Sequence, residues 1–93
     1  MGGEVRDISE IWSRVEAHQS EEFTTKTGKV FTYRVEGNRF WTDRQVRYPV
    51  GIGEFEKALK RVPVKRPSDL SDLRAYCYIW AVLHDPRIRG SDW

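Results

Sequence analysis

The side chains of this 93-residue chain that could carry catalysis are few: two histidines, His18 and His84, one thiol, Cys77, and carboxylates scattered singly. A cysteine–histidine nucleophile pair needs the two groups to converge. Cys77 and His84 lie seven residues apart in what reads as one helix, which does not readily bring them together. Cys77 sits inside the apolar run Ala75–Leu83 and reads as packed core. His84, followed by Asp85-Pro86 where that helix must stop, is placed to donate to a terminal carbonyl rather than to act as a base. Thr27-Gly28-Lys29 lacks the surrounding pattern of a phosphate loop and reads as a hairpin turn. No paired carboxylates are set for metal or glycoside chemistry. The expectation is a protein that is not an enzyme and that uses no metal and no cofactor.

The constellation that points to binding is basic and aromatic. Residues 26–47 carry Lys26, Lys29, Arg34, Arg39, Arg44 and Arg47 against only Glu36 and Asp43, interleaved with Phe31, Tyr33, Phe40 and Trp41. Gly37-Asn38 between two strand-like runs reads as a two-residue hairpin loop. That register sets Glu36 opposite Arg39, Val35 opposite Phe40, Arg34 opposite Trp41 and Tyr33 opposite Thr42. Alternation then sends Phe31, Tyr33, Val35 and Phe40 to the core and leaves Arg34, Glu36, Arg39 and Trp41 on the outer face. Cations there can neutralise phosphates, and a ring can stack on a base for roughly 1–3 kcal/mol. The same residues also suit an ordinary hairpin, with Arg34–Trp41 and Glu36–Arg39 as cross-strand pairs worth about 0.2–1 kcal/mol each.

Two further surfaces compete for a role. Lys57, Lys60, Arg61, Lys65 and Arg66 gather at the end of a helix and in the connector after it. They could grip a phosphate backbone, or simply complement a helix C-terminus. Tyr76, Tyr78 and Trp80 belong to a segment apolar on nearly every side. Such a helix is either sandwiched in the core or contacted by a protein partner or a second copy of the chain.

Bulk numbers bound these readings. The length fits one domain, residues 1–93, with 1–6 and 89–93 expected to be loose. Net charge is +2, but residues 1–22 hold six acids against two bases (−4) and the rest fourteen bases against eight acids (+6). The basic excess on the β-region argues for a polyanionic partner. One cysteine excludes an intrachain disulfide, and with no signal peptide the expected setting is reducing and cytoplasmic. The longest apolar run, nine residues, falls far short of the ~20 that span a bilayer, so no membrane partner is expected.

The elements that must position these groups follow from periodicity. A helix is expected over Ile8–Gln19, its stripe Ile8, Ile11, Trp12 and Val15, with Asp7 (or Ser9) as cap and Glu10 completing a capping box. Strands are expected over Glu22–Lys26, Lys29–Glu36 and Arg39–Val46, with a three-residue first loop setting Phe23 opposite Tyr33. Tyr48-Pro49-Val50-Gly51 should break the sheet. A second helix is expected over Gly53–Val62, stopped by Pro63, and a third from Ser68 or Ser71 through Leu83.

The opening helix–strand–strand–strand–helix order is similar to that of double-stranded-RNA-binding domains. Gly53-Glu54-Phe55-Glu56-Lys57, however, opens the second helix with acids where that family carries lysines, so the likeness is topological. The fold class read from the sequence is α+β, a three-stranded antiparallel meander packed by helices in the order α-β-β-β-α-α. Its core should be Ile11, Trp12, Val15, Phe31, Tyr33, Val35, Phe40, Phe55, Leu59, Leu73, Ile79, Trp80 and Leu83. The function expected is a small nucleic-acid-binding module, for DNA or RNA, acting through Lys29, Arg34, Arg39, Trp41, Arg44, Arg47, Lys60, Arg61, Lys65 and Arg66. The alternative is a protein-interaction or dimerisation module acting through Tyr76, Tyr78 and Trp80.

Overall fold

The computed structural model describes residues 7–44, 49–90 and 92–93. The expected loose N-terminus, the end of the third expected strand at Val46, and Arg47 and Tyr48 lie outside the described residues. The architecture is α+β, with antiparallel strands in two small sheets and four α-helices among the described residues.

The first helix, α1 (Ile8–Ala17), starts where the capping signal placed it: the Asp7 carboxylate accepts from the Ser9 N–H at 2.9 Å. It stops two residues before the expected end, and Ser20 turns into the left-handed region at φ 73°. Those last residues then pair with a strand. Ser20 N–H donates to the Tyr33 carbonyl at 2.7 Å, and the Gln19 side-chain oxygen accepts from the Val35 N–H at 3.0 Å. The free edge of the sheet is thereby blunted by the end of a helix.

The Gly37-Asn38 hairpin has the register read from the sequence, joining β3 (Tyr33–Glu36) to β4 (Arg39–Thr42) with all four expected pairs. Gly37 takes φ 61°, where a side chain would strain the turn. The rest of the sheet differs. The expected long middle strand breaks at Thr32, whose N–H donates to Asp43 Oδ1 (2.9 Å) and whose carbonyl accepts from the Asp43 N–H (3.0 Å). What precedes it is a separate hairpin of β1 (Phe23–Thr24) and β2 (Val30–Phe31). Phe23 faces Phe31 rather than Tyr33, because the three-residue turn falls one residue earlier, on Lys26-Thr27-Gly28, closed by the Thr25 N–H on the Lys29 carbonyl (2.8 Å) and the Lys29 N–H on the Thr25 hydroxyl (3.0 Å). Both rings still reach the core, so alternation and loop length were right and the placement of the turn was not.

Val50-Gly51 does not break the sheet. It forms β5, antiparallel to β4, and leads directly into α2 (Ile52–Leu59), whose first N–H is taken by the Asn38 carbonyl at 2.9 Å. The expected long third helix is also divided. Pro67–Leu70 forms a 3₁₀ turn that buries Leu70, and Ala75 takes a left-handed φ of 53° before α3 (Tyr76–Leu83) begins. Leu70 and Leu73 are both buried, and it is the left-handed Ala75 that prevents one continuous helix from running through to Leu83. Asp85-Pro86, read as a stop, also starts α4 (Pro86–Arg89): Asp85 caps the Arg87 N–H at 2.9 Å with proline at the first helical position. The tail expected to be loose is tied back through buried Ile88, a Trp93 Nε1–H bond to the Leu83 carbonyl (2.8 Å) and an Arg89 bond to the Trp93 carbonyl.

One aromatic seam holds these layers together. Phe23, Tyr33, Phe40, Phe55 and Trp12 follow one another with ring centroids 4.8–5.2 Å apart. The Tyr33 hydroxyl donates to the Val15 carbonyl at 2.7 Å, and burial raises its pKa well above the usual phenol range. Trp12 Nε1–H reaches the Gly37 carbonyl at 2.9 Å and ties the hairpin tip to α1. Of the expected core, Val35 and Trp80 are half-buried instead of buried.

Candidate nucleic-acid interface

Because α1 and α2 pack on the Tyr33–Phe40 side, the opposite side of β3–β4 presents Arg34, Glu36, Arg39 and Trp41. The Arg34 guanidinium lies over the Trp41 indole, 5.3 Å from the ring centroid. Glu36 was expected to pair across the strands with Arg39. It instead accepts from Arg34 Nη1 on its own strand at 2.6 Å. Arg39 is therefore exposed, and its side chain makes no ion pair among the described residues. Trp41 is half-buried, and its Nε1–H is buried with no acceptor among the described residues.

The remaining sheet cations divide. Lys29 is exposed on the first loop and unpaired among the described residues. Arg44, expected to contact phosphate, is exposed but partly engaged within the fold: its Nε and Nη2 both donate to the Val30 carbonyl, at 3.2 and 2.8 Å. That fork fastens the small hairpin to the end of β4, which is a structural role. Arg47 lies outside the described residues.

The basic connector divides in the same way. Arg61 grips Asp72 with two parallel bonds of 2.7 and 2.8 Å, which hold the Asp72 carboxyl down at about 2. Arg66 stands 3.6 Å from Asp69, whereas Lys60 and Lys65 are exposed and unpaired among the described residues. The connector itself is fixed by α3. Trp80 Nε1–H donates to the Val64 carbonyl at 3.0 Å, and His84 Nε2 accepts the Val64 N–H at 3.1 Å. Sheet and connector cations are not one cluster. Arg39 pairs with Gly51, just before α2, while Lys60 follows the far end of that eight-residue helix, about 12 Å along its axis.

The proposed partner-binding rings are largely spent inside the fold. Tyr78 meets Phe31 edge-on at 4.9 Å, Trp80 stacks on His84 at 4.6 Å with Lys26 over its ring at 5.4 Å, and Tyr76 is half-buried. Cys77, read as core, is the residue of α3 that faces solvent. His84 does bond a terminal carbonyl, donating from Nδ1 to Trp80 at 3.0 Å. With both ring nitrogens engaged and its pKa lowered by burial, it is held as a neutral structural imidazole. Among the described residues no group of three or more His, Cys, Asp or Glu side chains could hold a metal ion, and no helix is long and apolar enough to cross a membrane.

Beside Trp41 the outer face folds into a shallow cavity of about 180 Å³, lined among others by Ser20, Thr32, Arg34 and Asp43. The sequence reading missed Thr32 and Asp43, since a lone aspartate after a strand carries no distinguishing signal. It also missed Arg87, which contacts Asp85, Glu21 and the Glu22 carbonyl and lies over the Phe23 ring at 3.8 Å. Comparison of the chain with protein-family models, curated proteins and solved structures finds no match.

Proposed function

We propose that this chain is a small, non-enzymatic nucleic-acid-binding module that works through the outer face of β3–β4, with the connector lysines as a second, separate contact. The observation that carries the reading is Arg39. Its guanidinium is exposed beside the Arg34–Trp41 stack, on a face turned away from α1 and α2, and its cross-strand carboxylate is already occupied by Arg34. A free cation next to an aromatic–guanidinium stack suits a phosphate adjoining an unpaired base. Arg44 and Arg61 are left out of this surface because each spends two guanidinium nitrogens on an intramolecular acceptor, whereas Arg34 spends only Nη1, on Glu36, and keeps its other donors for a ligand. Docking of a protein through α3 draws less support, since Val30 is the large hydrophobic exposed among the described residues and it lies on β2.

Fluorescence anisotropy of labelled oligonucleotides across a salt series tests the proposal. Two phosphate contacts on a single strand give a slope in log K against log[salt] of about −1.4, or roughly a sevenfold loss between 50 and 200 mM. If Lys60 and Lys65 contribute as well, the slope approaches −2.8 and the loss about 50-fold. Arg34→Ala/Arg39→Ala should flatten the slope by about 1.4 while the fold is kept, at a cost of about 0.2–1 kcal/mol for the lost Arg34–Trp41 pair. Absence of binding to any DNA or RNA probe at about 50 mM salt would end the proposal.

A further inference from the structure

The cavity beside Trp41 has a composition that a surface for phosphates alone would not need. Part of the lining is the Arg34–Trp41 stack, and the same lining includes a carboxylate, Asp43. A carboxylate repels phosphate but accepts hydrogen bonds from the N–H groups on a base edge. Asp43 is also held in place. Its Oδ1 accepts the Thr32 N–H at 2.9 Å, its own N–H bonds the Thr32 carbonyl, and no bond among the described residues uses Oδ2. Arg44, clamped on the Val30 carbonyl and accepting from the Thr42 hydroxyl through its own carbonyl (3.0 Å), steadies the following turn. At about 180 Å³ the space equals roughly six waters of liquid, enough for one planar base and far too little for a base pair.

We infer that this cavity takes a single unpaired guanine of a single-stranded nucleic acid, its plane against the Arg34–Trp41 stack and its adjacent imino and amino N–H groups donated to Asp43. The inference rests on the nucleic-acid reading above and sharpens it to a strand type and a base. Guanine fits the acceptor best because its Watson–Crick edge offers two neighbouring donors. In a duplex that edge is already paired, so double-stranded probes present nothing for Asp43 to accept and bring a second line of phosphates toward Asp43 and Glu36. Arg39 supplies the adjoining phosphate contact, with its position two residues from Trp41 on the same face of β4.

The test uses the full chain and labelled thymine-tract oligonucleotides in which one central position is guanine, inosine or an abasic site, plus the duplex of the guanine strand. The expected result is about tenfold tighter binding of the guanine strand than of the abasic strand or the duplex, with inosine between, as loss of one stacked and hydrogen-bonded base requires. Asp43→Asn keeps an acceptor for the Thr32 N–H but presents a donor outward. It should erase the guanine-over-inosine difference and leave the salt slope unchanged. Equal binding of guanine, inosine and abasic strands, with the salt dependence and the Arg39→Ala effect intact, would overturn the guanine pocket and leave the general proposal standing. A preference for the duplex would do the same. Failure of every probe to bind would remove both. The inosine and abasic comparisons use the unaltered protein, so the outcome does not hang on whether Asp43→Asn folds.

Discussion

The clamp on Val64 makes the stability of this fold depend on the protonation of one imidazole. Val64 has its carbonyl held by Trp80 and its N–H held by His84 Nε2, while His84 Nδ1 donates to the Trp80 carbonyl. Placing a proton on Nε2 sets a donor against a donor. Burial lowers the pKa of His84 below its ordinary 6.5, and Arg89 on α4 pushes the same way, against the opposing pull of the Trp80 carbonyl. Lys26, lying over the other ring of the stack, adds a further positive charge nearby. With a depressed folded-state pKa, the contribution is complete above 6.5 and is lost as pH falls through the folded value. A histidine wholly neutral in the fold would cost at most about 1.4 kcal/mol by about pH 5.5 relative to about pH 7.5. His84 is half-buried and its pKa is lowered by burial, so the loss should fall below this limit. Urea unfolding of the unaltered chain and of His84→Gln at both pH values measures it. The substituted glutamine offers an amide acceptor and donor that do not titrate, and His18 is present in both proteins, so its contribution cancels. The unaltered chain should lose more stability than His84→Gln on acidification, by no more than about 1.4 kcal/mol. Equal losses would show that Val64 is not held by a neutral imidazole.

Two further outcomes follow from the ion pairs. Arg87→Ala removes two carboxylate contacts, a bond to the Glu22 carbonyl and the cover over Phe23, and should destabilise by about 1–2 kcal/mol in urea unfolding; Arg87→Lys should recover little, because the fork geometry is lost. The Arg61 hydrogen bonds hold Asp72 at about 2, so Arg61→Ala should move its NMR-monitored titration up toward 3.8. The Arg61 contribution is complete above 3.8 and fades as pH falls toward 2, so the two proteins should differ in acid sensitivity only below about pH 4.

Much of this fold was legible where one short-range signal decided the outcome. Gly37-Asn38 fixed a register of four pairs, and Asp7 fixed the start of α1. The failures came where two signals of similar strength met. Asp85-Pro86 ends one helix and begins another with the same residues, and proline and serine signals near Pro67 suited either a helix start or a 3₁₀ turn. The left-handed backbone at Ala75 parts that turn from α3, and an alanine carries no residue-type signal for such a break. At the candidate site, strand alternation correctly sent Arg34 and Trp41 to one face, because period two is rigid over so short a strand. The partner of Glu36 was misjudged, since Arg34 on the same strand and Arg39 across from it compete for one carboxylate and only side-chain packing chooses.

The larger error was to count cations as one population. Arg14, Arg34, Arg44, Arg61, Arg87 and Arg89 each dock on a carboxylate or a backbone carbonyl, while Lys29, Lys60 and Lys65 make no side-chain bond or ion pair among the described residues. The division follows from the groups themselves. A planar guanidinium presents several donors in a fixed fork and is weakly hydrated, so it can fasten two elements at modest cost, as Arg44 does between β2 and β4. An ammonium is strongly hydrated and gains little by leaving water. In this chain arginine is therefore mainly mortar and lysine mainly field. The exception is Arg39, a guanidinium exposed beside an aromatic stack with no acceptor of its own among the described residues. Since the fold spends its paired arginines on carboxylates and carbonyls, an arginine with no acceptor among the described residues is the side chain on which the proposed phosphate contact most depends.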